Sequence, residues 1–173
     1  MTNPDSSDLP RAEALRARLI RHIDSELAGP RAQRLERAPL YSSLFARLAE
    51  GTAASKLGCA VEVVPPGQQS CPYHFHHAQE EMFIVLEGQG TLRVAGERLA
   101  VQAGDVIFIP PGPDYPHHLL NTSKAPLKYL SISTQETPEI CEYPDSNKAS
   151  AWAKDVDLRQ RPGQALDYWD GEP

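Results

Sequence analysis

The chain has 173 residues, 40% of them hydrophobic, and 23 acidic against 17 basic side chains leave a formal charge of −6. That size suits one domain with a real core and appended arms, and the charge offers no basic stripe for a phosphate backbone, so nucleic acid is not an expected partner. No apolar run is long enough to span a membrane, and the start "MTNPDSSDLP" lacks a basic region followed by an apolar stretch, so the expected location is cytoplasmic.

In "LPRAEALRARLIRHIDSELAGP" the residues Leu15, Leu19, Ile23 and Leu27 recur at helical spacing, with Asp8 as a cap and Gly29-Pro30 as a stop. One amphipathic helix is predicted, its Arg16, Arg18 and Arg21 interleaved with Glu13, Asp24 and Glu26 as a solvated, ion-paired face. A second helical piece is predicted over "LYSSLFARLAEG", stopped at Gly51.

Beyond Gly51 short runs rich in Val, Ile and Leu alternate with Gly and Pro. They predict strands at 57–64, 71–77, 81–87, 90–95, 97–102, 105–109, 115–120 and 127–134, hence a closed or two-sheet β architecture. "LRVAGERLAV" carries a glycine at a tight hairpin tip. Pro110, Pro111, Pro113 and Pro116 cannot continue a central strand, so they form a rigid loop that fixes whatever follows. After about residue 135 the chain turns polar and aromatic with little periodicity, which reads as an extended tail. Its Tyr143, Trp152, Tyr168 and Trp169 carry enough apolar area to pack on the barrel or on a second subunit. The expected organisation is an N-terminal helical extension (1–50), a β-barrel (51–135) and a C-terminal tail (136–173).

Five of the six histidines fall in two groups, His74, His76 and His77, then His117 and His118. Alternate side chains share a face of a strand, so His74 and His76 point one way and His77 the other. Glu81 opens the next apolar run, where a carboxylate is expensive to bury without a cation. His117, on the strand after the proline loop, supplies a third imidazole. Three neutral imidazoles and a carboxylate suit one divalent ion of iron, manganese, nickel, cobalt or zinc and leave positions open for substrate or dioxygen. By parity His77, His118 and Glu80 are neighbours outside the site, although a bulge would exchange such adjacent pairs. Cys59, Cys71 and Cys141 are odd in number and lack a CxxC pair, which argues against a disulfide framework or a thiolate zinc site. Cys71 is the one thiol expected near the site.

These residues resemble the two motifs of the cupin superfamily. The first is matched by Gly67, six residues, His74-Phe75-His76, four residues, Glu81, six residues and Gly88, with one residue more than usual after Gly67. The second is matched by Gly104, "DVIFI", Pro110-Pro111-Gly112, four residues in place of two, His117, three residues and Asn121. The resemblance covers about residues 57 to 134 and extends to uncharacterised single-domain bacterial cupins sharing "EYPDS", some loosely labelled sugar-phosphate isomerase-like. It implies a jelly-roll β-barrel with His74, His76, Glu81 and His117 as metal ligands. It also implies a metal-dependent enzyme of dioxygenase, decarboxylase or isomerase type acting on a small polar molecule, or else a non-catalytic module that binds or senses a sugar or carboxylate. The aromatic tail points to a homodimer.

Overall fold

The computed structural model describes residues 11–161, 163 and 166–173. The Asp8 cap expected for the first helix lies outside these residues. Two helices, α1 (Arg11–Leu19) and α2 (Ile23–Ala28), stand where one was predicted. The break follows from Arg21, whose guanidinium donates to the carbonyls of Ala17 (2.6 Å) and Ile20 (3.2 Å) and reaches Gly51 O at 3.0 Å, closing α1 on itself. His22 then caps α2, its Nδ1 accepting from Ser25 N–H at 3.4 Å, and α2 ends at the expected Gly29. Only half of the apolar stripe is used, because Ile23 and Leu27 pack inward while Leu15 and Leu19 stay exposed.

The next strands are β1 (Gln33–Arg37), β2 (Tyr41–Arg47) and β3 (Leu57–Val64). β2 replaces the second predicted helix. Its "YSSLFAR" has a face for each side of a sheet, and antiparallel pairing to β1 and β3 outweighs the weak helical spacing of its leucines. There follow β4 (Phe75–His76), β5 (Glu81–Glu87), β6 (Gln89–Val94), β7 (Glu97–Gln102), β8 (Val106–Ile109), β9 (His117–Leu120) and β10 (Leu127–Thr134). The predicted strands at 57–64, 81–87, 97–102 and 127–134 coincide with β3, β5, β7 and β10, whereas the one at 71–77 shrinks to two residues beside Pro72.

The C-terminal segment is more regular than its aperiodic sequence foretells, with β11 (Glu139–Tyr143), a 3-10 turn at Pro144–Ser146, β12 (Lys148–Ala153) and β13 (Val156–Gln160). β11 pairs with β4, placing Cys141 opposite His76. Tyr143 and Trp152 pack against the barrel, while Tyr168 and Trp169 are 84% and 70% exposed.

The architecture is an all-β core of jelly-roll type. A six-stranded sheet in the order β1-β2-β3-β10-β5-β8 faces a three-stranded sheet, β7-β6-β9, and a four-stranded one, β13-β12-β11-β4. The barrel interior holds Val64, Phe83, Val85, Leu92, Val101, Ile109, Leu119, Leu127 and Tyr129, drawn from both walls. Burying each large apolar side chain contributes about 2 kcal/mol. A second cluster, Ala46, Leu48 and Val61, lies beneath Ile23 and Leu27 of α2. Two turns fix the register. Ala95 and Gly96 both take positive φ (50° and 83°), as a two-residue hairpin between β6 and β7 requires. Gly88 also has positive φ, and a Cβ there would meet Pro126 O at 2.3 Å.

Candidate metal centre

His74 and His117 exchange both backbone hydrogen bonds (3.1 and 2.7 Å), so their side chains leave the same face and the rings lie 4.8 Å apart. The proline loop supports this geometry, with Gly112 N–H donating to His76 O at 2.7 Å. Glu81 enters from β5 across the interior. The Nε2 atoms of His117, His76 and His74 lie 2.8, 3.5 and 3.8 Å from Glu81 Oε2. Donors about 2.1 Å from one ion stand roughly 3 Å apart when adjacent, so these spacings suit a shared cation.

Hydrogen bonding orients two of the rings. His74 Nδ1 faces Pro72 O at 2.9 Å and His117 Nδ1 faces Tyr115 O at 3.1 Å, so a neutral ring donates there and turns the Nε2 lone pair toward Glu81. For His117 that sets a lone pair 2.8 Å from a carboxylate oxygen, a repulsive contact unless a proton or a metal ion lies between. His117 Nε2 and Glu81 Oε2 are both buried, and neither makes a directed hydrogen bond. Burial alone would push Glu81 up, but the close contact and charge of His117, with His74 and His76, outweigh it and hold the carboxyl below its ordinary range. Burial lowers His76 despite the opposing charge of Glu81, which favours the neutral, ligating ring.

The neighbours diverge from this cluster. His77 turns outward to Glu142, its Nε2 2.8 Å from Oε1, and Glu80 is exposed. His118 is buried edge-on against Tyr73, its ring centroid 5.4 Å away, and burial pushes it down to about 4. Cys71 Sγ lies 4.0 Å from His74 Nδ1, an atom already directed at Pro72, and burial pushes the thiol up to about 12. Asn121 clamps the loop after β9, donating to Val64 O (2.7 Å) and Ala125 O (2.8 Å).

Two residues escaped the sequence reading. Cys141 forms a second group of ligand atoms with His74 and His76, all within 4.8 Å of one another, and burial pushes its thiol up to about 12 in the metal-free protein. Glu139 is 1% exposed and accepts backbone N–H bonds from His77 (2.9 Å), Ala78 (3.2 Å) and Gln79 (2.7 Å). It therefore holds the turn that sets the distance from His76 to Glu81, and its Oε1 lies 3.8 Å from His76 Nδ1. The signal for it was the alternation in "EICEY", which puts Glu139, Cys141 and Tyr143 on one face.

The double-walled β fold and the two ordered motifs define a cupin. The cupin-domain family model matches residues 60–133. An uncharacterised protein of Methanocaldococcus jannaschii, MJ1618, is 36% identical over 91 residues, covering 50% of this chain and 70% of that protein. The chain belongs to the cupin family. An oxalate-binding protein of Thermotoga maritima is 32% identical over 69 residues, 40% of this chain, and the match spans about half (54%) of that relative's length. Among solved structures, a candidate sugar phosphate isomerase from Acidithiobacillus ferrooxidans superposes with a TM-score of 0.75 at 21% identity, covering 87% of this chain and 96% of the other. At that identity the likeness speaks for the fold alone.

Proposed function

We propose that the chain is a metal-dependent cupin enzyme acting on a small polar molecule, with one divalent ion of iron, manganese, nickel, cobalt or zinc held by His74, His76, Glu81 and His117. The observation that carries this reading is the convergence of three imidazole nitrogens on one buried carboxylate oxygen, at 2.8 to 3.8 Å. Four protein donors leave up to two positions of an octahedral ion for substrate. A bound ion supplies polarisation of a carboxylate, carbonyl or hydroxyl oxygen, or a seat for dioxygen, as isomerase, decarboxylase and dioxygenase chemistry requires. The protein's own part is orientation. Pro72 O and Tyr115 O fix the two rings, Glu139 fixes the turn between His76 and Glu81, and Tyr143 and Trp152 flank His74 and His76 with ring centroids 6.1 Å away.

The T. maritima relative favours a small oxygen-rich anion as ligand, and its oxalate-binding name favours a second reading, non-catalytic binding of such an anion. Among the described residues no helix is long and apolar enough to cross a membrane, and a cytoplasmic location fits that. A homodimer is part of the proposal, supported by the exposed Tyr168 and Trp169. Metal analysis of protein purified without added metal, then turnover of sugar phosphates, keto acids and oxalate, tests the enzyme reading. Metal retention with saturable binding and no turnover would favour the binding module.

A further inference from the structure

A recess of about 450 Å³ lies over β2, β3 and β10, lined by residues that include Arg47, Gly58, Ala60, Ser131, Ser133 and Gln135. Strand register ties it to Glu81. Ser133 stands directly opposite Glu81 on one side and Gly58 on the other, and the next row runs Arg47, Ala60, Ser131, Phe83. Directly paired residues project from the same face, so these side chains share the inward face of the sheet with buried Glu81 and Phe83. Small residues at Ala60, Ser131 and Ser133 leave the volume, which falls in the range of small-molecule sites, while Gln135 and Ser133 close over Gly58.

The charge pattern indicates the occupant. Arg47 has no carboxylate partner among the described residues. Glu50, the acidic liner, lies within electrostatic reach of Arg31, whose charge it helps to stabilise. Ser131, Ser133 and Gln135 add hydroxyl and amide groups, with Gln135 Nε2 donating to Ser133 Oγ at 2.8 Å. An unpaired guanidinium beside hydroxyls matches a phosphate or carboxylate. The strand of Arg47 is three spacings of about 4.8 Å from that of Glu81, roughly 14 Å between backbones. Arg47 is exposed, so a molecule that touches both the histidine cluster and Arg47 must span much of that distance and be elongated.

From this geometry we infer that the recess is the substrate pocket of the proposed metal site, and that Arg47 binds the anionic end of an elongated, hydroxyl-bearing molecule, a phosphorylated or carboxylated polyol rather than a two-carbon diacid. This rests on the metal reading for the other end of the ligand. Isothermal titration of metal-loaded protein with ribose 5-phosphate and with oxalate, alongside the metal content of each variant, tests it. Arg47→Ala, and Ser131→Leu, which fills the recess, weaken ribose 5-phosphate binding at least tenfold, while metal content and oxalate binding stay at wild-type levels. Unchanged ribose 5-phosphate affinity in both variants, or no binding by the wild type, overturns the inference. If the wild type takes up no metal yet ribose 5-phosphate still binds through Arg47, the metal reading fails and the recess stands.

Discussion

Glu81 and Glu139 are two buried carboxylates that both approach His76 and are satisfied in opposite ways. Glu139 is enclosed by the backbone N–H groups of His77, Ala78 and Gln79, so its charge is stabilised by the fold itself. Glu81 Oε2 faces three imidazole Nε2 atoms without one directed hydrogen bond. A buried carboxylate with directed donors anchors structure, whereas one surrounded by lone pairs is completed by a cation. The difference separates a positioning residue, on the sheet of β11, from the proposed ligand on the sheet of β5.

The largest expected effect lies at Glu81. Metal at about 1,000 times its dissociation constant should stabilise the wild type by about 4 kcal/mol, and Glu81→Gln should abolish that gain, read as the shift in the urea midpoint with and without chelator. In the metal-free protein the same substitution should change stability by less than about 1 kcal/mol or raise it, since it removes a buried charge. Glu139→Ala should do the reverse. It strands buried amide N–H groups and should cost about 3 kcal/mol with chelator present. Equal losses from both variants in the metal-free protein would erase the distinction.

A third buried carboxyl, Glu62, sharpens the contrast. Burial raises it from 4.5 to about 7, opposed by a hydrogen bond with Ser43, and its Oε2 has no partner. Because the folded value lies above the unfolded one, the folded state holds the extra proton between about pH 4.5 and 7, and stability falls as pH rises through that window. Glu62→Gln should therefore be close to neutral at pH 4.5 and should stabilise by about 3 kcal/mol at pH 8, followed by thermal denaturation across that range.

The smallest effect is expected at Asp145, which is more than half exposed and meets Arg93 in two hydrogen bonds of 2.5 and 2.9 Å. The hydrogen bond to Arg93 holds its carboxyl below the ordinary 3.8, so the contribution is present above that value and lost as pH falls through the depressed folded one. Solvent screening limits it to under about 1 kcal/mol, the loss expected for Arg93→Ala at neutral pH.

Much of the proposed centre was legible in the sequence because strand parity and motif spacing are local. His74, His76 and Glu81 fall within one short stretch, and the proline loop announces the strand of His117. Segments decided by partners distant in sequence were not legible. β2 read as helix because its pairing to β3 lies outside any local window, and Leu15 and Leu19 read as a buried face because nothing local shows Arg21 reaching Gly51 O thirty residues on. Glu139 was invisible for the same reason, since its partners lie about sixty residues earlier.

The most direct test is the metal content of the chain purified without added metal and then equilibrated with iron, manganese, nickel, cobalt or zinc, beside Glu81→Gln. The proposed site predicts about one ion per wild-type chain for at least one of these metals and less than about a tenth as much in the variant, both folded by circular dichroism. A wild type that stays empty with every metal, or a Glu81→Gln variant that binds as well as the wild type, would contradict it.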